Sequence, residues 1–423
     1  MADQTPSPAR GWIVAFAALG INLASGTLYA WGVMGKALTM RPVDPWTKAQ
    51  AAYPFAAATA FFAITMIFAG RMQDKIGPRL IALLGGIVLG LGFIAASFVD
   101  APIPMAATFA LVGVGIGLAY SATTPAAIKW FSPARRGLIT GIVVSGVGLA
   151  AVYAAPLASY MLNTLQMSIA NTLQVLGAGT ILSIGILSRV VANPPAGYKP
   201  AGVAAGSSPA KAKALSARRE VDWPEMLSTP QFYLLWLTFV LTASAGLMLI
   251  SNVATIAKLQ AHWELGFLPV MLLAIFNTTG RFAGGAVSDR LGRRNTMIAA
   301  FLLQAVNMFL FQHYTTPGLL AFGACFAGLC YGAIFTLMPA ASADFYGVKN
   351  LGVNFGCLFT AFGVAGVTGS ILGGQVADRL GSYNRAYVLC GIMLVVGAVI
   401  AFATRAPKLA IEPGHPDMAK PVT

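Results

Sequence analysis

The chain has 423 residues, of which 57% are hydrophobic and only 9% are charged, and its formal net charge at pH 7 is +14. A soluble domain has about 25% charged residues, so this composition indicates a protein of the lipid bilayer. The positive charge does not indicate a nucleic-acid partner, because the Lys and Arg residues fall in the loops where membrane topology requires them.

Hydrophobic stretches long enough to cross about 30 Å of hydrocarbon recur along the whole chain. Numbered in chain order as spans one to twelve, they lie near 12–36, 51–70, 79–99, 103–127, 138–161, 169–191, 231–257, 264–287, 296–313, 317–340, 351–376 and 386–404. The sequence therefore predicts an all-α membrane protein with twelve transmembrane helices.

Lys and Arg residues are concentrated in the loops that, with an even number of spans, share a side of the membrane with both termini. Arg71, Lys129, Arg136 and Arg218 are examples. By the positive-inside rule, this bias predicts cytoplasmic termini in the plasma (inner) membrane. No cleavable signal pattern precedes span one, so we expect that span to be retained.

A long polar stretch divides the spans into two groups of six. Residues 196–217 within it are rich in Ala, Gly, Ser, Pro and Lys, a composition typical of a flexible linker. We expect a six-helix bundle at 1–191, a cytoplasmic linker at 192–230, a second six-helix bundle at 231–406 and a cytoplasmic tail at 407–423.

The two halves repeat one loop. GRMQDKIGPR (70–79) follows span two and GAVSDRLGRR (285–294) follows span eight, so Asp74 and Asp289 align at an offset of 215 residues. Repeated halves are typical of transporters in which two bundles move about a central site. An Asp near a helix end and the cations after it can form a charge cluster that stabilises one conformational state. We expect this gating role for Asp74, Arg79, Asp289, Arg293 and Arg294.

The pattern G-x-x-x-D-[RK]-x-G-x-[RK] in these two loops resembles the signature loop of the major facilitator superfamily. EMLSTPQFYLLW (225–236), KWFSPARRGLITGIVVSGVGLA (129–150) and LGGQVADRLGSYNRAY (372–387) resemble segments of its monocarboxylate transporter and oxalate–formate antiporter branch. The resemblance implies two pseudo-symmetric six-helix bundles that transport small carboxylates by alternating access.

Arg281 is the only charge that we place at membrane depth, within AIFNTTGRFAGGAV (274–287). Burying such a cation costs about 3 kcal/mol or more, so it is a functional-site hypothesis by default. Its guanidinium can hold one carboxylate with two parallel N–H···O bonds. A structural ion pair is the alternative, but all 13 Asp and Glu residues fall at termini, in loops or at span edges. The sequence therefore predicts that Arg281 binds an anionic substrate.

Further polar residues of the spans are candidates for the same site. Asn277 lies one helical turn before the arginine, faces the same way and can donate an amide hydrogen. Tyr120 and Tyr331 occupy matching places in spans four and ten, and each offers a hydroxyl donor. The candidates for an apolar wall and a small polar neighbour are Leu28 and Ser145. Helix packing is the alternative interpretation for each of these residues.

Two positions bear on the substrate. Asn277 stands where the mammalian monocarboxylate transporters that this chain resembles have an Asp, and Leu358 stands near the place of a second cation in the oxalate antiporter. A single cation favours a monocarboxylate anion, such as L-lactate or pyruvate, over a dicarboxylate. The resemblance implies symport with protons, and Asp344 is a candidate proton carrier, whereas the missing Asp leaves the coupling open.

Other functions remain as alternatives at this point. A carboxylate anion exchanger of the oxalate–formate type would use the same cation, and a non-transporting membrane sensor of carboxylates would bind without transport. The sequence has no nucleophile elbow, metal-ligand spacing or phosphate-binding loop. We therefore expect neither an enzyme nor a cofactor or metal, and transport should be driven by gradients.

Overall fold

The computed structural model describes residues 8–195, 197–198, 220–263, 267–380 and 383–407. Within these residues, twelve segments are long and apolar enough to cross a membrane, which confirms the predicted all-α fold. In chain order they are Ala9–Thr39, Gln50–Ile76, Pro78–Ala96, Pro102–Ile128, Pro133–Thr164, Ile169–Ser188, Pro230–Ala261, Leu268–Leu291, Arg293–Phe311, Pro317–Tyr346, Leu351–Gly369 and Asn384–Ala403. The predicted tail from residue 408 and most of the predicted flexible linker lie outside the described residues.

Span one is not a continuous α-helix. An α-helix at Pro8–Ser25 and another at Trp31–Thr39 are joined by a 3₁₀ turn at Gly26–Ala30. Gly26 packs so closely on Ala150 of span five that a Cβ atom at this position would overlap the alanine side chain. A 3₁₀ segment within a helix often marks a functional position, and this one carries Leu28 of the predicted site.

The repeated loops have the same backbone conformation in both halves. Span two ends at Gly77, with φ of 101°, and span eight ends at Gly292, with φ of 85°. This left-handed region favours glycine because a Cβ atom is strained there. The glycine that follows each signature Asp by three residues therefore turns the chain directly into the next span.

The two halves contact each other chiefly through two helix pairs, which we call the first interface (spans five and eight) and the second interface (spans two and eleven). Gly137 lies against Gly285 in the first, and Gly70 lies against Gly352 in the second. These contacts are related by the 215-residue repeat. Small residues let helix backbones approach closely, which explains why glycines face each other between the halves.

Both interfaces are tight only at the end of the bundle that carries residues 70–79 and 285–294, which we call the signature-loop end. In the first interface, Val152 lies one turn beyond Gly148 and is 40% exposed, while Met271, two turns beyond Thr278, is 42% exposed. In the second, a Cβ atom on Gly366 would meet open space. The halves are therefore closed together at the signature-loop end and separate toward the opposite end.

The last residues of the predicted linker pack on the second half. Val221 donates its N–H to the carbonyl of Tyr346 at 3.0 Å and accepts a hydrogen bond from the Asn354 amide at 3.1 Å. A short helix follows at Trp223–Leu227, with Met226 fully buried. Because these apolar side chains are buried, the packed second half begins before residue 231, where the hydrophobic pattern alone places its start.

Candidate substrate-binding site

Arg281 lies midway along span eight and is only 4% exposed. Its Nε donates to Oδ1 of Asn277 at 3.3 Å, one turn earlier in the same helix. Its Nη1 donates to the main-chain carbonyl of Val144 in span five at 2.5 Å. The guanidinium also lies over the ring of Phe335, 4.8 Å from its centroid. Arg281 therefore contacts both halves of the protein at once.

The positive charge of Arg281 has no carboxylate partner among the described residues. The ion pairs of that part of the chain lie at the two ends of the bundle and involve other cations. A carbonyl, an amide oxygen and an aromatic ring are neutral partners, so they stabilise the guanidinium without cancelling its charge. The site therefore presents one uncompensated positive charge.

Glycines of the neighbouring spans fix the backbone around Arg281. A Cβ atom on Gly332 of span ten would overlap the carbonyl of Asn277, and one on Gly141 of span five would overlap the carbonyl of Arg281. That second carbonyl accepts a hydrogen bond from the Thr336 hydroxyl at 2.8 Å. Span eight is held between spans five and ten at the level of the arginine, which restricts where its side chain can point.

Three tyrosines, from both halves, lie within reach of the charge of the arginine. Tyr120 and Tyr331 are 3% and 6% exposed, and Tyr29, on the 3₁₀ turn of span one, is 37% exposed. All three are close enough to Arg281 to interact with its charge. Among the described residues, no hydrogen bond uses any of the three hydroxyls, so each is available as a donor to a ligand. The structure thus brings both predicted tyrosines to Arg281 and adds Tyr29 to them.

The other predicted site residues differ in how free their side chains are to contact a ligand. Asn277 is half-buried, and its Oδ1 already accepts from Arg281. Leu28 is 7% exposed on the 3₁₀ turn. Ser145 is fully buried and donates its hydroxyl to the carbonyl of Ile142 at 2.7 Å, so its remaining capacity is as an acceptor. Tyr29 lies in SGTLYAWG (25–32) of span one. The helix break that exposes it has no signal in the hydrophobic pattern.

At the signature-loop end, each repeated Asp binds the start of a helix in the other half. Asp289 accepts hydrogen bonds from the N–H groups of Gly137 and Leu138, at 2.9 and 2.8 Å, where span five begins. Asp74 accepts one from the N–H of Val353, at 3.0 Å, where span eleven begins. A carboxylate at a helix N-terminus satisfies free N–H groups and interacts favourably with the helix dipole.

The cations that pair with these Asp residues differ between the two interfaces. Arg293 pairs with Asp289 at 2.6 Å and with Asp344 at 3.1 Å, and Arg136 pairs with Asp344 at 3.3 Å. Asp344 therefore belongs to the charge cluster that joins the halves. In the other interface, Lys129 lies 3.6 Å from Asp74. Burial lowers the pKa of the Lys129 ammonium below its ordinary value, and the nearby Asp74 opposes that shift.

The remaining predicted gating residues lie away from the contact between the halves. Arg79 is exposed at the start of span three. Arg294 lies over the ring of Phe402, 4.6 Å from its centroid, and donates to the carbonyl of the same residue. Arg294 thus joins span nine to span twelve within the second half. Of the five residues predicted for gating, Asp74, Asp289 and Arg293 lie where the two halves meet.

A comparison with family models identifies the fold and the family together. The model of the Major Facilitator Superfamily matches residues 11–310 and 268–422, which cover nearly the whole chain. This chain belongs to the major facilitator superfamily. It is a multi-pass integral membrane transporter, and both its family and its fold are those of transporters rather than enzymes.

Relatives within the superfamily confirm the branch that the sequence resembles. This transporter is 28% identical over 402 residues to the oxalate:formate antiporter of Oxalobacter formigenes, covering 93% of the chain and 90% of the relative. It is 24% identical over 350 residues to monocarboxylate transporter 12 of Rattus norvegicus, covering 75% of the chain and 70% of the relative. Both names are those of carboxylate transporters.

A solved structure agrees on the fold. The fucose:proton symporter of E. coli superposes with a TM-score of 0.68, at 13% sequence identity, covering 93% of this chain and 98% of that one. At this identity the similarity concerns the fold alone. It agrees with the two-bundle architecture expected of a major facilitator transporter.

Proposed function

We propose that this transporter carries small monocarboxylates, such as L-lactate and pyruvate, and binds their carboxylate at Arg281. The observation that carries the proposal is the uncompensated charge of this buried side chain. A guanidinium has five N–H donors, and Arg281 uses two of them in the contacts with Asn277 and Val144. Three donors remain, enough for a carboxylate bound through two parallel hydrogen bonds.

The surroundings of Arg281 support a single carboxylate with a short carbon chain. The free hydroxyls of Tyr29, Tyr120 and Tyr331 are further donors for an anion. Phe335 and Leu28 are apolar and suit a methyl-sized group. Leu358, near the place where the oxalate antiporter is expected to have a second cation, is buried in the hydrophobic core. One cation matched to one carboxylate favours monocarboxylates over dicarboxylates.

Alternating access is the mechanism that we propose for this transport. In our topology, the signature-loop end and both termini face the cytoplasm, and the protein resides in the plasma membrane. The conformation with that end closed would then receive substrate from outside. Breaking the contacts of Asp74 and Asp289 with the opposite helices would open the path to the cytoplasm.

Proton symport is the coupling that we propose, and exchange of carboxylates is the second candidate. The described residues place no carboxylate beside Arg281, so a proton would have to travel with the substrate or through a group such as Asp344. The similarity to an oxalate:formate antiporter over 93% of the chain favours exchange as the competing mode. A sensor that binds carboxylates without transporting them would show neither proton symport nor carboxylate exchange.

Uptake of labelled L-lactate into proteoliposomes tests this proposal. With an inward proton gradient, we expect faster uptake and accumulation above equilibrium. Uptake that ignores the proton gradient but responds to formate or lactate inside the vesicles would replace symport by exchange. Arg281→Ala should reduce uptake at least about tenfold, because removal of a buried charged partner typically costs 2–5 kcal/mol. Lactate binding without uptake would contradict the transport proposal.

A further inference from the structure

The two interfaces between the halves are related by the repeat, but they differ at the level of Arg281. Gly148 in span five corresponds to Gly363 in span eleven, and Thr278 in span eight corresponds to Ala63 in span two, each at the 215-residue offset. The second interface is therefore an internal reference for the first. Because the second interface packs two helices in the same way, a contact found only in the first interface is not needed for packing the halves together.

Gly148 is packed against the predicted site, whereas Gly363 is packed against an alanine. A Cβ atom on Gly148 would lie 2.6 Å from Oγ1 of Thr278 and 3.4 Å from Nε of Arg281. A Cβ atom on Gly363 would lie 3.2 Å from Cβ of Ala63. The first distance is shorter than real Cβ contacts, so either span five must move away from span eight or the Thr278 hydroxyl must leave its hydrogen bond to the carbonyl of Ala274, whereas the second distance requires only a small adjustment.

The main-chain carbonyl that binds Arg281 belongs to the same turn of span five. In an α-helix the carbonyl of residue 144 faces the N–H of residue 148, and it has a second lone pair for another donor. The Nη1 atom of Arg281 reaches this carbonyl at 2.5 Å. Because Gly148 has no side chain, span five lies close enough to span eight for this contact.

We propose that Gly148 is a positioning residue for Arg281. Its missing side chain brings the carbonyl of Val144 onto the guanidinium, and this contact aims the remaining N–H groups at the substrate. This inference rests on the proposed role of Arg281 in carboxylate binding.

It matters that the group which orients Arg281 is a neutral carbonyl and not a carboxylate. A carboxylate in the place of the Val144 carbonyl would also orient the guanidinium, but it would neutralise the charge that the substrate needs. A carbonyl orients the side chain through one hydrogen bond and leaves the net charge of the site at one positive unit. The glycine thus gives Arg281 a fixed direction without a competing anion.

Kinetics of Gly148→Ala compared with Gly363→Ala test the inference. Both variants add one methyl group at equivalent places in the two interfaces. In proteoliposomes, we expect Gly148→Ala to raise the KM for L-lactate about fivefold or more, because the added carbon displaces span five from Arg281. Vmax and thermal stability should change much less than KM. Gly363→Ala should leave the KM within about twofold of the wild-type value.

A second substitution separates positioning from general packing. Thr278→Ala removes the hydroxyl that the new Cβ atom would meet and reproduces the Ala63 of the other interface. We expect Thr278→Ala alone to keep the wild-type KM, and Gly148→Ala with Thr278→Ala to restore it. If Gly148→Ala alone does not fold, the double variant carries the test, because its remaining 3.4 Å separation from Nε is an ordinary contact.

Three results would overturn the inference: a wild-type KM in Gly148→Ala, equal increases in KM in the two glycine variants, or a double variant that keeps the defect. These results can be told apart from failure of the proposed function. If the proposed function is wrong, the wild-type protein itself will not transport L-lactate or pyruvate.

Discussion

At the scale of the residue, the central feature is a buried cation with only neutral partners in the described part of the chain. Arg281 is 4% exposed and is bound by an amide oxygen, a main-chain carbonyl and the face of a phenyl ring. Such an arrangement is costly in a bilayer unless an anion completes it. Arg281 is therefore the position at which conservative substitution should be most damaging.

Arg281→Lys should transport poorly although it keeps the charge. An ammonium is compact and cannot present two parallel donors to a carboxylate while also bonding to Asn277 and Val144. Loss of one hydrogen bond to a charged group costs about 1.5–3 kcal/mol, so we expect the KM for L-lactate to rise about tenfold or more. Initial rates of uptake into proteoliposomes over a range of lactate concentrations would measure this. A KM equal to that of the wild type would contradict bidentate binding.

The sequence predicts Arg281 itself but not its surroundings. A lone Arg in an apolar span is rare, so the residue type alone indicates function. The carbonyl of Val144 has no sequence signature, because every residue has such a group. Tyr29 is exposed by a helix break that depends on Gly26 packing on Ala150, a contact between residues far apart in the chain. The chemistry of the site is therefore partly predictable, and its geometry is not.

At the scale of the element, the repeated loops act on helices of the opposite half. The motif predicts a charge cluster, but which helix each Asp binds depends on how the two bundles pack. Asp289 binds two N–H groups at the start of span five, and Asp74 binds one at the start of span eleven. These contacts stabilise the conformation that is closed at the signature-loop end.

Asp289→Asn should shift the protein toward a conformation open at the signature-loop end. The amide keeps one acceptor oxygen but loses the charge and one of the two acceptors that bind the N–H groups of Gly137 and Leu138, which weakens the closed state by about 1.5–3 kcal/mol. The ratio of open to closed molecules should then rise about tenfold or more. Spin labels attached to cysteines at the exposed positions Lys75 and Arg290 would report this by electron–electron distance measurements. We expect a larger fraction of molecules with a long distance between the two labels.

Arg79→Gln is the matched control for that measurement. It removes a charge from the corresponding loop of the first half, at an exposed side chain. We expect the distance distribution of Arg79→Gln to stay close to that of the wild type. Equal shifts in the two variants would mean that any change of charge in these loops, rather than loss of the contact of Asp289 with span five, opens the signature-loop end.

At the scale of the whole molecule, the distribution of charges predicts which way the protein lies in the membrane. Hydrophobic length predicts the twelve spans well, because each span must be apolar over the thickness of the bilayer. The bias of Lys and Arg toward one set of loops then predicts that the signature-loop end faces the cytoplasm. The way the halves close at that end depends on contacts between distant glycines, which hydropathy does not reveal.

Cysteine labelling in intact cells would test this orientation. Val43 is 81% exposed in the loop after span one, and Lys75 is exposed at the signature-loop end. A membrane-impermeant maleimide added outside should label Val43→Cys and should label Lys75→Cys only after the membrane is permeabilised. The unmodified chain, with its 4 natural cysteines, gives the background. Labelling in the reverse order would invert the proposed topology.

The crossed contacts of Asp74 and Asp289 have a consequence for assembly. Each half contributes one acidic residue that binds the partner half and one helix start that the partner binds, so the halves are related like the subunits of a two-fold dimer. If the chain were cut at a point between residues 198 and 220, each fragment would keep its own acidic residue and its own helix start. Two separately synthesised polypeptides would then carry all the groups they need to recognise each other in the bilayer.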